Sequence, residues 1–278
     1  MTDAQRSLYC FGLGYSALQL ADRLLALGWR VGGTVRTSEK ADGLKDRGIA
    51  AETFQNHAMP PPDSDWLISI PPSEAGCPAF LSAGHGADTA RSITYLSTTG
   101  VYGDLGGRWA YEWSPVNPLS DRARNRVIAE DQWRGTGRRL SIVRLPGIYG
   151  PGRSSLDRVR EGNARRIVKP GQVFSRVHVD DIASGLEAIL LREAQGVFHL
   201  TDDEPCPPQD VTAYAAEILG APVPADEPFE SVALSPMAAS FYAECKRVAN
   251  GRTKAALGWR PTYPTYREGL RHILETGG

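Results

Sequence analysis

The sequence is poor in the features that mark specialised chains. Its four cysteines, Cys10, Cys77, Cys206 and Cys245, are scattered over 278 residues with no CxxC pair. That spacing suits neither a disulfide framework nor a zinc site, and it fits a reducing compartment. Charge of one sign is also lacking: 31 Lys and Arg against 32 Asp and Glu leave a net charge of −1. No broad field therefore attracts nucleic acid or anionic lipid. No hydrophobic run reaches the length of a membrane span, and residues 1–7 lack the basic and apolar regions of a signal peptide. The expectation is a cytoplasmic protein without nucleic-acid or membrane partners. Internal repeats and low-complexity tracts are absent as well.

What is present is alternation. Residues 8–11 read as a short buried strand running into Gly12-Leu13-Gly14-Tyr15-Ser16-Ala17, after which Leu18, Ala21, Leu24 and Leu25 mark a helix stopped by Gly28. Further strands are expected at 30–35, 49–54, 66–70, 93–97, 140–145 and 197–200, and helices at 39–47, 121–135, 182–192 and 209–219. Strands alternating with helices predict an α/β protein with a Rossmann-type, doubly wound parallel sheet. Residues 1–150 would form its core. Residues 151–278 would complete it with the strand near 197–200 and add a small mixed lobe, because Pro205, Pro207, Pro208, Pro222, Pro224 and Pro228 crowd that region.

The turn Gly12-x-Gly14-x-x-Ala17 between a strand and a helix fits a dinucleotide site. Gly12 permits the tight turn, Gly14 lets a pyrophosphate approach the backbone beside Tyr15 and Ser16, and Ala17 allows close helix packing. The second strand ends Thr34-Val35-Arg36-Thr37-Ser38, where NAD-binding proteins offer a carboxylate to the ribose hydroxyls. Arg36 suits a 2′-phosphate instead, so NADP(H) is expected to be preferred over NAD(H).

Three later segments occur in order: Ser97-Thr98-Thr99-Gly100-Val101-Tyr102-Gly103, then Arg144-Leu145-Pro146-Gly147-Ile148-Tyr149-Gly150-Pro151-Gly152, then His178-Val179-Asp180-Asp181-Ile182. Together with Leu257-Gly258-Trp259 and Tyr266-Arg267-Glu268-Gly269-Leu270 near the end, they resemble the extended short-chain dehydrogenase/reductase superfamily, in its NAD-dependent epimerase/dehydratase-like branch. The Gly12-Leu13-Gly14-Tyr15 start and the Ser69-Ile70-Pro71-Pro72 turn look most like its atypical, mostly uncharacterised bacterial members. The resemblance implies that Thr98 hydrogen-bonds the substrate oxygen, that Ser69 and Pro71 run beside the cofactor, and that Pro146 and Ile148 lie near the nicotinamide. His178 to Asp181 would border the substrate lobe. Asp180 and Asp181 can equally cap the following helix, and His178 can be a hydrogen-bonded core residue.

The family's catalytic Tyr, with Lys four residues later, is missing. Counted back from Glu130, which matches a recurrent family glutamate, those positions fall on Arg122 and Arg126. Arginine stays protonated and cannot pass a proton to an alkoxide as tyrosine does. Three explanations stand. Tyr102 or Tyr149 is the acid, its pKa lowered by a cation such as Arg126; or Arg122 and Arg126 clamp a carboxylate or phosphate; or both arginines are a solvated helix face. In the loop 104–109, Trp109 offers a flat face for a ring or a plug. The resemblance therefore implies an oxidoreductase or epimerase/dehydratase-like enzyme acting on a small polar, anionic substrate. Its rival is a non-catalytic NADP(H)-binding redox sensor. A homodimer through the 121–135 helix is the quaternary arrangement that the resemblance suggests.

Overall fold

Side chains alternate across the strand Ser7–Phe11: Leu8 and Cys10 enter one buried cluster, Tyr9 and Phe11 another. A strand that is apolar on both faces needs cover on both sides. The computed structural model describes residues 5–277, Met237 by its backbone alone, and Met1–Ala4 of the N-terminal stretch lie outside the described residues. Within it, seven strands form one parallel sheet. Their order is Gly196–His199, Leu140–Leu145, Ser92–Thr98, Asp65–Ile68, Ser7–Phe11, Arg30–Val35 and Ile49–Thr53.

The helix Tyr15–Ala26 packs against Val179–Leu191 on one face through Leu20, Leu24, Ile182 and Leu186. The opposite face is covered by Pro78–Ala83 and Asp121–Arg134, which contribute Ala79, Ala83, Ala129 and Trp133. This is the doubly wound arrangement expected from the alternation. The chain leaves Ser7–Phe11 in one direction through the sheet and returns on its other side at Asp65–Ile68. In open parallel sheets, ligands bind at the carboxyl ends of the strands beside such a reversal.

A third cluster lies in the C-terminal part, where Leu156, Cys206, Val211, Ala215, Tyr266, Leu270 and Ile273 are buried between Ser155–Arg160, Pro208–Leu219 and Tyr266–Glu275. Three short parallel pairs stitch this part together: Gly147–Tyr149 with Arg176–His178, Arg166–Val168 with Asp226–Pro228, and Trp109–Ala110 with Arg247–Val248.

Two of the boundaries that differ from expectation have clear local reasons. The strand expected at 66–70 ends at Ile68, because the amides of Ser69 and Ile70 both turn to the Phe11 carbonyl at 2.9 and 3.1 Å. The helix expected at 182–192 begins at Val179, and its cap is His178, whose Nδ1 accepts from the Asp180 amide at 3.3 Å. Asp180 and Asp181 sit in the first turn, where their charge suits the helix dipole. Asp181 reaches away from the helix and accepts from the amides of Thr262 (2.6 Å) and Tyr263 (3.1 Å). All four cysteines are free thiols, and among the described residues no cluster of ligating side chains could hold a metal. No helix among them is long and apolar enough to cross a membrane.

Candidate functional site

Parallel strands ending at Phe11, Val35, Ile68, Thr98 and Leu145 all end on one edge of the sheet. Gly12, Arg36, Ser69, Thr98 and Pro146 are therefore gathered there, although up to 134 positions lie between them in sequence. Gly12 has φ +97°, and a Cβ on it would stand 2.9 Å from Ile70 Cγ1. The turn is held by Thr34, whose hydroxyl accepts from the Gly12 amide (3.0 Å) and whose carbonyl accepts from the Leu13 amide (2.7 Å).

Gly14 is the N-cap of Tyr15–Ala26, with no side-chain cap and no acidic residue in the first turn. A Cβ there would meet nothing within 4 Å. The Leu18 amide bonds back to the Gly14 carbonyl at 2.9 Å, so the preceding amides of Tyr15, Ser16 and Ala17 keep the outward donors of a helix start. An open seat at the positive end of a helix, without a competing carboxylate, fits a pyrophosphate. Ser16 and Ala17 are themselves buried beneath it, and the Tyr15 phenol donates to the Pro151 carbonyl at 3.0 Å. Burial pushes that phenol up to about 12. Arg36 is exposed at the end of its strand and has neither a hydrogen-bond nor an ion-pair partner among the described residues. Ser69, Pro146 and Ile148 are half-buried and Pro71 is exposed along the same edge.

Thr98 is half-buried at the end of its strand, opposite Leu145, and its Oγ1 accepts from the Gly100 amide at 3.1 Å. Its O–H remains free to donate. Tyr102, expected at the cleft, is instead fully buried. Its phenol donates to His199 Nε2 (2.6 Å) and accepts from Arg144 Nη1 (2.8 Å), while His199 Nδ1 donates to the Ala249 carbonyl (2.8 Å). These roles require a neutral imidazole, and burial holds His199 down to about 4. Burial likewise pushes Tyr102 up to about 12, against the lowering influence of Arg144. Arg144 also forks Glu130 at 3.0 and 2.6 Å, and Glu130 accepts from Ser97 Oγ at 2.6 Å. Burial would raise the Glu130 carboxyl, but Arg144, Ser97 and Arg134 together hold it below its ordinary value. Ser97, Glu130, Arg144, Tyr102 and His199 thus form one buried chain beneath Thr98.

A lone arginine in the apolar strand LSIVRL was the signal for this chain, since a buried guanidinium demands a carboxylate. Its partners could not be read from sequence. Tyr149 is also buried, its phenol pushed up by burial, and His178 is buried and held down to about 4 by burial.

Arg126 Nη1 donates to the Leu96 carbonyl (2.5 Å) and the Tyr95 phenol (3.3 Å), and so lies two residues along the strand from Thr98. It does not reach Tyr102. Arg122 is exposed, and its guanidinium lies 5.2 Å from the centre of the Phe241 ring. The two arginines therefore do not form a common fork. Trp109 is 45% exposed and lines a cavity together with Tyr102, Leu105, Arg108, Ser114, Pro115 and Asn117.

No family model matches the sequence. A conserved protein of unknown function from Silicibacter pomeroyi superposes with a TM-score of 0.92 and 43% identity over 98% of this chain and 99% of that one. UDP-glucuronic acid 4-epimerase from Bacillus cereus, solved with NAD, gives a TM-score of 0.76 at 15% identity over 97% and 96% of the two chains. The human epimerase family protein SDR39U1, solved with NADPH, gives 0.71 at 17% identity over 98% and 99%. A Streptomyces 3-diazoavenalumate denitrifying reductase is 34% identical over 143 residues, 46% of this chain and 45% of the reductase, so less than half of that protein's length is matched. The fold is thus the one seen in the epimerase structures solved with NAD and with NADPH. Within it, the chain belongs to the same family as the Silicibacter pomeroyi protein.

Proposed function

We propose that this protein is a nicotinamide-dependent reductase that prefers NADP(H) and acts on a small polar substrate. The observation that carries the reading is the uncapped helix start at Gly14, open above Tyr15, Ser16 and Ala17, with Arg36, unpaired among the described residues, at the end of the neighbouring strand. The helix start would hold the pyrophosphate and Arg36 the 2′-phosphate. Ser69, Pro71, Pro146 and Ile148 would wall the rest of the cofactor along the strand ends. When bound, the dihydronicotinamide supplies a hydride.

The chain's part is placement. Thr98 has a free O–H donor to orient the acceptor group, and Arg126, fixed through the Leu96 carbonyl, would take the part of the ribose-holding lysine onto which the motif count places it. Reduction suits this site better than epimerisation. Epimerisation through a keto intermediate needs a base that takes up a hydroxyl proton and returns it, and Arg122 in the tyrosine position cannot do so. Tyr102 is no substitute, because its phenol is buried and bonded on both sides. The name of the Streptomyces relative, a reductase of a diazo compound, supports the same direction. Hydride addition to such an acceptor builds no alkoxide that a phenol must protonate.

Hydrogen exchange with and without NADP tests the seat. The amides of Tyr15, Ser16 and Ala17 are expected to slow on addition of NADP, because they gain phosphate acceptors. Protection elsewhere with none at these three would overturn the assignment. Binding without turnover across a broad substrate screen would favour the sensor reading instead.

A further inference from the structure

Tyr15 opens the helix Tyr15–Ala26, and its amide is one of the donors at the open helix start. Its side chain does something else. The phenol donates to the Pro151 carbonyl at 3.0 Å, 136 residues along the chain. Pro151 sits in a tight turn, in which Gly150 and Arg153 exchange backbone bonds of 3.4 and 3.0 Å and Gly152 has φ +68°. A Cβ on Gly150 would overlap the Tyr15 hydroxyl and stand 2.7 Å from Val179 Cγ1, so the turn approaches Tyr15 this closely because residue 150 is glycine. The Arg153 guanidinium lies 6.0 Å from the centre of the Tyr15 ring, a second contact between the same two segments.

That turn continues the segment assigned to the nicotinamide. Pro146 follows the strand Leu140–Leu145, Ile148 lies in Gly147–Tyr149, and Gly150 comes next. Gly147–Tyr149 is held along its length by Arg176–His178, with Ile148 opposite Val177 and Tyr149 opposite His178. Tyr15 ties the end of this segment to the helix start. The helix is itself fixed, since Leu20 and Leu24 pack it on Ile182 and Leu186. One side chain thus links the Gly14 seat to the wall that Pro146 and Ile148 belong to.

We propose that Tyr15 is a positioning residue, whose phenol acts through the Pro151 carbonyl to set the nicotinamide wall relative to the pyrophosphate seat. The phenol need not touch the cofactor. It orders the 146–151 segment in advance, so that binding of the nicotinamide ring does not carry the cost of ordering it. This rests on the nicotinamide reading of the site.

The test compares NADP with 2′-phospho-ADP-ribose, which is NADP without its nicotinamide ring, by calorimetry on the parent protein, Tyr15→Phe and Gly150→Ala. The parent is expected to bind NADP more tightly than the fragment. Tyr15→Phe keeps the aromatic ring and the backbone amide and loses one hydrogen bond, so that preference should shrink by about 2- to 10-fold while affinity for the fragment stays unchanged. Gly150→Ala, which drives the phenol and the turn apart, should shrink it as well. In the cofactor-free protein the Arg153 amide, whose bond closes the turn, should exchange faster in Tyr15→Phe than in the parent. Equal loss of NADP and fragment would make Tyr15 part of the seat or of the general framework and would overturn the proposal. So would an unchanged preference in either variant, unchanged exchange at Arg153, or a parent that does not distinguish NADP from the fragment. Those results leave the phosphate seat standing. If the parent binds neither compound, the nicotinamide reading itself fails, and this role of Tyr15 with it.

Discussion

Replacing Gly14 with aspartate puts a carboxylate at the N-cap of Tyr15–Ala26, where the new Cβ meets nothing within 4 Å and the backbone already has the extended geometry of a cap. Two effects then act in opposite directions. Aspartate exceeds glycine as a cap by a few tenths of a kcal/mol. Its charge at the positive helix end adds about 0.3–1 kcal/mol, so the free protein should gain roughly 0.5–1 kcal/mol. For a domain of this size that is a rise in Tm of about 2 °C. The same carboxylate occupies the seat assigned to the pyrophosphate. One like-charge pair at about 4 Å with an effective dielectric near 20 costs about 4 kcal/mol, close to a thousandfold in affinity. Thermal melts and fluorescence titration with NADPH read the two effects separately. A more stable protein that no longer binds NADPH is the expected result. A variant that binds NADPH as tightly as the parent would show that no pyrophosphate sits at Gly14.

The buried chain beneath Thr98 makes three further predictions. Glu130→Gln leaves the Arg144 guanidinium buried without its counter-charge and should cost about 3–5 kcal/mol, measured by denaturant unfolding; a loss below 1 kcal/mol would mean that the pair is not buried as described. Tyr102→Phe removes a donor to His199 and an acceptor for Arg144, and should cost about 1–3 kcal/mol while leaving NADPH affinity unchanged. Abolished turnover in a fully stable Tyr102→Phe protein would return Tyr102 to the reaction. The His199 ring should stay neutral by NMR until about pH 4. Its folded pKa lies below the unfolded value, so the unfolded chain binds more protons between about pH 6.5 and 4, and this residue makes stability fall on acidification through that window. A midpoint near 6.5 in the folded protein would contradict its place in the chain.

Local pattern carried the fold further than it carried the site. The strand at Ser7–Phe11, the turn at Gly12 and the helix from Tyr15 are each set by neighbours within a few residues, and the doubly wound sheet follows from their alternation. The short helices Pro78–Ala83, Ser155–Arg160, Pro236–Tyr242 and Gly251–Leu257 were not legible, because six or seven residues fall short of two turns. Tyr102 was misplaced for a different reason. Its loop looked exposed, yet Arg144 and His199, 42 and 97 residues away, draw the phenol inward. Arg122 on Phe241 is likewise a contact between distant segments. Arg36, by contrast, stands where its strand end predicted, since a residue following a parallel strand has its position fixed by the strand alone.

The most direct measurement is calorimetric titration of the cofactor-free protein with NADP, NADPH, NAD and NADH, repeated on Arg36→Ala. The phosphorylated pair is expected to bind more tightly, with that advantage lost in the variant while NAD and NADH are unaffected. Binding of none of the four would contradict the nicotinamide site itself, and an advantage that survives Arg36→Ala would contradict the role given to Arg36.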